Sequence, residues 1–366
     1  MKMKSMANGR FRVGIVGLRA GSWAATAHVP ALRALPDSYE ISGVANTNVA
    51  SATSMASHFG IPSAYRDAAE LAASPDIDIV VVTVKAPHHF QVVRTALMAG
   101  KHVYCEWPLG RSLDESAELA DLARSCGVVA VVGLQARFAP EIQYVKQLLA
   151  DGFVGDVLST TIVGSGYAWG ARIDQANAYL LDRANGATML TIPVAHTLAA
   201  VRDLLGALTV NSAVLANRRI TARIAETGED RPMTAHDQVL IEGVLDGGVP
   251  ISVHFRGGTP RPTGFLWEIN GTDGDIQLSA TIGHPQMVPL TLTAARSNDS
   301  EMRVLQVPQQ YCRRLADNVT AGNVARLYEC LAADLHDGTS RAPTFAEGLE
   351  LRRLISNIEA AADRRT

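Results

Sequence analysis

The chain has 366 residues, of which 47% are hydrophobic, a share typical of a globular protein that buries a substantial core. Its formal charge of -3 and its lack of a basic run give no indication of direct nucleic-acid binding, and its longest apolar run, Ile79–Val84, is too short to span a membrane. The four cysteines form no CxxC pair, so the sequence predicts neither disulfides nor a metal cluster and favours a cytoplasmic location.

In the N-terminal third, short apolar runs alternate with helical stretches. The predicted strands are residues 11–17, 40–45, 78–84, 102–105 and 128–132. The predicted helices between them are residues 27–35, 48–58, 88–99 and 112–126. Strands that alternate with helices of this length predict an α/β domain over residues 1–135, with a doubly wound parallel sheet of the Rossmann type.

The pattern changes after about residue 150, where strands follow one another with few helices between them. A strand over 156–166 and a helix over 186–205 come first. Further strands are predicted over 208–217, 235–245, 249–256, 265–271 and 274–279, and closing helices over 317–335 and 344–362. This order predicts an α+β domain over 136–366 with an open, mainly antiparallel sheet. Its last helices can pack back on the first domain.

The turn after the first strand has the pattern of a dinucleotide site. Gly14, Gly17 and Gly21 lie there, although Arg19 replaces one glycine of the GxGxxG fingerprint. Such a turn lets backbone N–H groups approach a pyrophosphate at a helix N-terminus, whereas the alternative is a plain tight turn. The predicted cofactor contacts in this loop are Gly17, Leu18, Arg19, Ser22 and Trp23.

The end of the second strand bears on the choice of cofactor. A carboxylate there would hold the ribose 2′-hydroxyl of NAD, but the chain has Asn46 and Thr47 instead. Because no carboxylate would repel a 2′-phosphate and Arg19 could reach one, the sequence favours NADP, with NAD left open. The alternative is that these polar residues only cap the next helix.

Several segments in the expected order resemble the Gfo/Idh/MocA oxidoreductase family. They are AHVPAL (27–32), the segment around Glu106-Trp107-Pro108, VGLQARFAP (132–140), FVGDVLS (153–159), NGATMLTIPVAH (185–196) and GTDGDIQL (271–278). The resemblance implies a Rossmann domain, an open antiparallel sheet and a nicotinamide cofactor in the cleft between them. The further cofactor contacts that it implies are Lys85, His89, Glu106, Trp107, Pro108 and Gln135.

The chain departs from the family pattern at residues that matter for catalysis. Trp107 stands where the family has a lysine, and Ile192 stands where it has an aspartate, while His196 is retained. His196 is then the predicted acid–base residue, with Trp107, Tyr179 and Asp182 as the other predicted catalytic residues. The alternatives are buried core positions for His196 and Trp107, and a solvated loop for Tyr179 and Asp182. None of the ten histidines shows a metal-ligand spacing, so no metal is predicted.

Three functions remain open at this point. The first is an NAD(P)-dependent oxidoreductase that transfers hydride to or from a sugar, polyol or related cyclic compound. The second is a non-catalytic NADP-binding sensor or transcriptional co-regulator, because the long first loop and the tryptophan resemble a subgroup that includes a fungal galactose-regulon repressor. The third is a redox-neutral enzyme that retains its NAD(P). The open sheet predicts a homodimer or homotetramer.

Overall fold

The computed structural model describes residues 9–258, 263–312 and 315–364. These form two compact units, one comprising residues 9–134 and 315–350, the other residues 135–258, 263–312 and 351–364. The domain limits predicted from the sequence, 1–135 and 136–366, stay a prediction. No described helix is both long and apolar enough to cross a bilayer.

The first unit contains a six-stranded parallel sheet with strand order β3-β2-β1-β4-β5-β6. Its strands are β1 (Phe11–Val16), β2 (Tyr39–Ala45), β3 (Ser63–Tyr65), β4 (Ile79–Val82), β5 (His102–Glu106) and β6 (Ala130–Gly133). Its helices are α1 (Val29–Arg33), α2 (Val49–Phe59), α3 (Ala68–Ala73), α4 (His89–Met98), α5 (Leu113–Cys126) and α8 (Val319–Asp337). Strand β4 is completely buried, as its run of β-branched residues predicts.

Side-chain caps fix where several helices begin. The side chains of Asn48, Asp67, Ser112 and Asn318 each accept a hydrogen bond from a backbone N–H in the first turn of α2, α3, α5 and α8. Such caps satisfy N–H groups that have no partner inside the helix.

The second unit contains an eight-stranded sheet with order β17-β16-β15-β14-β7-β13-β12-β9 and a small three-stranded sheet with order β11-β10-β8. The large sheet is β7 (Val157–Gly166), β9 (Leu208–Ala216), β12 (Gln238–Leu245), β13 (Pro250–Gly257), β14 (Phe265–Gly271), β15 (Gly274–Ala280), β16 (Thr291–Arg296) and β17 (Arg303–Val304). The small sheet is β8 (Arg172–Ile173), β10 (Thr221–Ile224) and β11 (Asp230–Pro232). Only the pairing of β7 with β13 is parallel in the large sheet.

The helices of the second unit are α6 (Pro140–Ala150), α7 (Ala195–Leu205) and most of α9 (Phe345–Asp363). The two sheets and the helices around them confirm the predicted fold class, a Rossmann sheet followed by a mainly antiparallel sheet. The helix predicted over 186–205 is shorter than expected. Residues Leu190–Val194 form a π-helical turn, and the α-helix begins only at Ala195.

One face of the large sheet carries an apolar row. Val214, Leu240, His254, Val163 and Leu266 face one another across β9, β12, β13, β7 and β14. Val214, on the edge strand β9, is 39% exposed, and Leu240, on the neighbouring strand β12, is 37% exposed. Exposed apolar side chains in one row of a sheet form a contiguous surface that water solvates poorly.

Candidate functional site

The turn after β1 has the close approach that a glycine permits. Gly17 has a φ of 103°, and its N–H donates to the Ala45 oxygen at 3.0 Å. A Cβ at this position would lie 2.9 Å from both the amide nitrogen and the Cγ1 of Val84. A side chain would therefore collide with the loop after β4, which explains why glycine occurs here.

The loop that follows Gly17 closes on itself. The hydroxyl of Ser22 donates to the Arg19 oxygen at 2.7 Å and accepts from the Arg19 N–H at 3.1 Å. Leu18 is completely buried, which anchors the loop, while Arg19 is exposed. Among the described residues, the Arg19 guanidinium has no hydrogen-bond or ion-pair partner. Arg19 is thus presented to solvent from a fixed backbone, as an anion-binding side chain would be.

Two buried polar atoms near this loop lack partners in the described part of the chain. They are Trp23 Nε1, a donor, and Asn46 Oδ1, an acceptor. The Asn46 amide nitrogen is already engaged, because it donates to the Leu18 oxygen at 2.8 Å and to Ser51 Oγ at 3.1 Å. A buried donor fits a phosphate oxygen and a buried acceptor fits a ribose hydroxyl, so these residues fit a dinucleotide. Thr47 is exposed at the same edge of the sheet.

At the end of β5, Glu106 belongs to a buried polar network that the sequence did not predict. His28 is fully buried, with Nε2 at 2.9 Å from Glu106 Oε1 and Nδ1 at 2.8 Å from the Tyr328 hydroxyl. Burial, then Tyr39 and Glu106, raises the pKa of Tyr328 well above its usual value. A phenol that keeps its proton can donate to Nδ1, which leaves the Nε2–H of His28 to donate to Glu106.

His89, the first residue of α4, joins two loops of the same unit. Its Nδ1 lies 2.7 Å from the Pro108 oxygen and its Nε2 lies 2.9 Å from the Val84 oxygen. Burial lowers the pKa of His89 despite these carbonyls, so the neutral ring dominates near pH 7. Because a neutral imidazole carries one N–H, His89 donates to one of these two carbonyls, and its ring lies between the loop after β5 and the loop after β4.

The loop after β5 carries the remaining predicted cofactor contacts of this unit. Trp107 is only 6% exposed, and its peptide bond to Pro108 is cis. Lys85, at the start of a turn of 3₁₀-helix, is exposed. Gln135 is fully buried in a second 3₁₀ turn, which belongs to the other unit. The contacts of these residues with a cofactor stay a prediction.

In the second unit, the local sequence fixes where His196 lies. Pro193 has no N–H and sits in the π-helical turn before α7, where the N–H of Val194 donates to Met189 rather than along an α-helical ladder. The hydroxyl of Thr197 donates to the Pro193 oxygen at 2.9 Å. Turns of this kind are frequent at functional sites, and this one places His196, which is 4% exposed, in the first turn of α7.

A second histidine, His284, lies close to His196. It sits in the loop between β15 and β16 and is 1% exposed. Burial, then the charge of His196, lowers the pKa of His284 to about 3. A Cβ on the preceding Gly283 would lie 2.5 Å from the Ser165 nitrogen, so glycine allows this loop to press against the end of β7. His284 was not predicted from the sequence.

Two aromatic side chains lie beside His284. The ring of Tyr167 lies 4.9 Å from that of His284, and the ring of Trp169 is parallel to it at 6.4 Å. Trp169 Nε1 donates to the Leu180 oxygen at 3.0 Å, which links this cluster to the loop of Tyr179. Burial, then Tyr167, raises the pKa of Tyr179 to about 12. Tyr179 is thus suited to donate a hydrogen bond and poorly suited to shuttle a proton at neutral pH.

The Asp182 carboxylate caps a turn. It is exposed and accepts from the Ala184 N–H at 3.0 Å and from the Thr234 hydroxyl at 3.1 Å. These are the contacts of a residue that caps a short turn of 3₁₀-helix. A catalytic role for Asp182 stays a prediction.

The sequence did contain a signal for the missed residues. Two aromatic residues lie among glycines in GSGYAWG (164–170), and a histidine lies between glycine and proline in GHP (283–285). The first pattern runs from the end of β7 into a loop and the second lies within a loop, so each marks a segment held close to another backbone. No group of three or more His, Cys, Asp or Glu side chains in the described ranges could hold a metal ion.

Known proteins resemble both parts of this chain. Residues 11–134 match the oxidoreductase family with an NAD-binding Rossmann fold, and residues 140–280 match the Gal80p C-terminal domain. The galactose/lactose metabolism regulatory protein GAL80 of Saccharomyces cerevisiae is 28% identical over 95% of this chain and 91% of its own length. Dehydrogenase aclE of Aspergillus oryzae is 32% identical over 74% of this chain and 76% of its own length.

A solved structure extends the similarity to almost the whole chain. The crystal structure of a super-repressor mutant of Gal80p from Saccharomyces cerevisiae has a TM-score of 0.88 at 26% identity, and the match covers 98% of this chain and 97% of that one. Regulators and a dehydrogenase thus share this architecture. The chain belongs to the Gfo/Idh/MocA oxidoreductase family, and its NAD-binding Rossmann domain is followed by a Gal80-like C-terminal domain.

Proposed function

We propose that this protein is an NADP-dependent oxidoreductase that transfers hydride between the nicotinamide and the carbinol or carbonyl carbon of a sugar, polyol or related cyclic compound. The observation that carries the proposal is the buried pair of His196 and His284, with the Trp169 and Tyr167 rings beside His284. Imidazoles bind and move protons at hydroxyl oxygens, and aromatic rings pack against the apolar faces of cyclic compounds.

His196 is the acid–base residue in this proposal. When bound, the nicotinamide accepts the hydride that leaves the carbinol carbon, or supplies it in the reverse direction. In oxidation the hydroxyl proton passes to His196 as the carbonyl forms, and in reduction His196 returns it. Because positive charges on His196 and His284 would repel each other, and burial keeps His284 neutral, the pair carries at most one positive charge near pH 7.

The cofactor is held by residues of the first unit. The turn at Gly17 fixes the backbone of the loop that carries Arg19, and the unpartnered Trp23 Nε1 and Asn46 Oδ1 offer a donor and an acceptor. Neither Asn46 nor Thr47 carries a negative charge, and the Arg19 guanidinium is exposed and unpaired within the described residues. These features favour a 2′-phosphate, so NADP is the proposed cofactor.

The test measures binding first and chemistry second. NADPH and NADH are titrated separately, and oxidation or reduction is then followed at the nicotinamide absorbance with myo-inositol, D-galactose, sorbitol and cyclohexanone. We expect tighter binding of NADPH and turnover of at least one compound. His196→Gln should lower kcat roughly a hundred-fold to ten-thousand-fold while leaving NADPH affinity unchanged. Unchanged kcat in this variant would contradict the assigned role of His196.

A second candidate is an NADP-binding regulator that performs no reaction. It is favoured by the similarity to GAL80, a regulatory protein, over 95% of the chain, and by the Trp107 side chain at the position where the family pattern has a lysine. Tight NADPH binding with no redox change across the panel would favour this function. Retained NADP that survives purification, together with isomerised or cleaved products, would instead favour a redox-neutral enzyme.

We also propose that the chain forms a homodimer or homotetramer through the open face of the large sheet and acts in the cytoplasm. The exposed apolar row that includes Val214 and Leu240 supports self-association. Leu240→Glu should convert the assembly into monomers in analytical ultracentrifugation. Met98→Glu, which places the same charge on an exposed apolar residue of the first unit, is the matched control. An oligomer that survives Leu240→Glu would rule out this face.

A further inference from the structure

His284 has a buried ring nitrogen that the fold does not use. Its Nε2 has no hydrogen-bond partner among the described residues, and its side chain is 1% exposed. A buried donor or acceptor left unpaired costs stability, so it persists where something else compensates for it. The same loop is fixed firmly, because the Gly283 N–H donates to the Ser165 oxygen at 2.8 Å. The unpaired nitrogen is therefore held in place rather than free to find a partner.

The neighbour of the other ring nitrogen indicates which nitrogen carries the proton. The Gln286 amide nitrogen lies 3.5 Å from Nδ1 and is the donor in this contact, with Gln286 itself 3% exposed. A neutral imidazole that accepts at Nδ1 carries its hydrogen on Nε2. The unpartnered atom is thus an N–H donor. It fits an oxygen with a lone pair, such as that of a hydroxyl or a carbonyl group.

The surroundings of His284 match the same kind of ligand. Tyr167, which is 38% exposed, lies at 4.9 Å from the imidazole and offers its ring to a ligand, whereas the Trp169 indole, 1% exposed, packs parallel to the imidazole and holds it in place. Aromatic faces beside a fixed donor bind ring compounds that have apolar faces and polar edges. His196, the proposed acid–base residue, is near enough for its charge to act on His284.

We propose that His284 is a substrate-binding residue whose Nε2–H donates a hydrogen bond to a hydroxyl or carbonyl oxygen of the sugar, polyol or related cyclic compound. This inference rests on the proposed function and names the second polar contact of the same site. His196 exchanges the proton of the reacting oxygen. His284 keeps its own proton and orients the substrate, so it contributes to binding and to specificity.

Two isosteric variants test this role. A glutamine amide reaches the position of Nε2, whereas an asparagine amide reaches that of Nδ1. For any panel compound that wild type turns over, His284→Asn should raise KM roughly ten-fold because it loses one neutral hydrogen bond. His284→Gln should stay close to wild type. NADPH affinity, measured in both variants, should not change. Equal KM values for wild type and His284→Asn would overturn the proposal.

A second measurement does not depend on turnover. Histidine ¹⁵N NMR of the NADPH-bound protein, with His284→Gln used for assignment, reports the tautomer of His284. We expect a neutral Nε2–H form near pH 6.5, and a change in the Nε2 signal on addition of myo-inositol, D-galactose, sorbitol or cyclohexanone. An Nδ1–H tautomer, or an unchanged signal with all four compounds, would overturn the proposal. If no compound is turned over but the Nε2 signal responds, the proposed oxidoreductase fails while the binding role of His284 stands.

Discussion

Replacing His28 by phenylalanine should destabilise the first unit, because His28 joins Glu106 to Tyr328. Phenylalanine preserves the ring but removes bonds of 2.9 and 2.8 Å from a fully buried position. The Tyr328 hydroxyl would then be buried without this partner, at a cost of about 1–3 kcal/mol, while the Glu106 side chain, 13% exposed, would lose about 1 kcal/mol. The expected loss in the free energy of unfolding is thus about 2–4 kcal/mol.

A double-mutant cycle separates this network from simple packing. Tyr328→Phe removes one hydroxyl and should cost about 1–2 kcal/mol, and the double variant should cost about 1 kcal/mol less than the sum, because both changes remove the same bond. The free energy of unfolding in urea is measured by hydrogen exchange in peptides from β1 and β5. Because both strands belong to the first unit, the measurement reports on that unit. A loss below about 0.5 kcal/mol for His28→Phe, or strict additivity of the two changes, would refute the network.

Three further predictions concern charge. Arg19→Ala should weaken NADPH binding roughly ten-fold or more while changing NADH binding little, since a guanidinium–phosphate contact is worth about 1.5–3 kcal/mol; equal losses for both cofactors in calorimetry would refute this. Burial raises the pKa of Asp78, but bonds from Arg12 outweigh burial and the net pKa is lowered. Stability from Asp78 is present above about pH 4 and should be lost as the pH falls further, and Asp78→Asn should remove this dependence in acid titrations. Because the pKa of His284 falls from 6.5 to about 3 on folding, the unfolded chain takes up this proton first. The free energy of unfolding should therefore decline as the pH falls below about 6.5, and it should decline less in His284→Gln. Parallel pH profiles of wild type and His284→Gln would contradict this prediction.

The sequence predicted the sheet of the first unit because its central strands are apolar runs. Strand β4 is completely buried and the limits of β1 and β2 differ by about a residue from the prediction. Short or polar elements such as β3 and β10 gave no comparable signal, since tertiary pairing rather than local composition makes them strands. The helix that contains His196 begins later than predicted, because Pro193 interrupts the hydrogen-bond ladder.

The candidate site was predictable only where a motif fixed it. The glycine turn and His196 follow from patterns along the chain. His284 lies in a loop 88 positions after His196 by residue number, and its proximity to His196 is set by the packing of the loop against β7. Asp182 lies near the same motif in sequence, but its carboxylate caps a turn, so its role in the site stays a prediction. Proximity in sequence does not show which side chains share a site.

Hydride transfer by this chain can be measured with NADPH that is deuterated at the transferable position. Each panel carbonyl compound, including cyclohexanone, is incubated with wild type and with His196→Gln under single-turnover conditions, and the products are analysed by mass spectrometry. We expect deuterium on the carbinol carbon of at least one product with wild type. Deuterium incorporation should be strongly slowed with His196→Gln. Bound NADPH with no deuterium transferred to any compound would contradict hydride transfer and would favour the regulator.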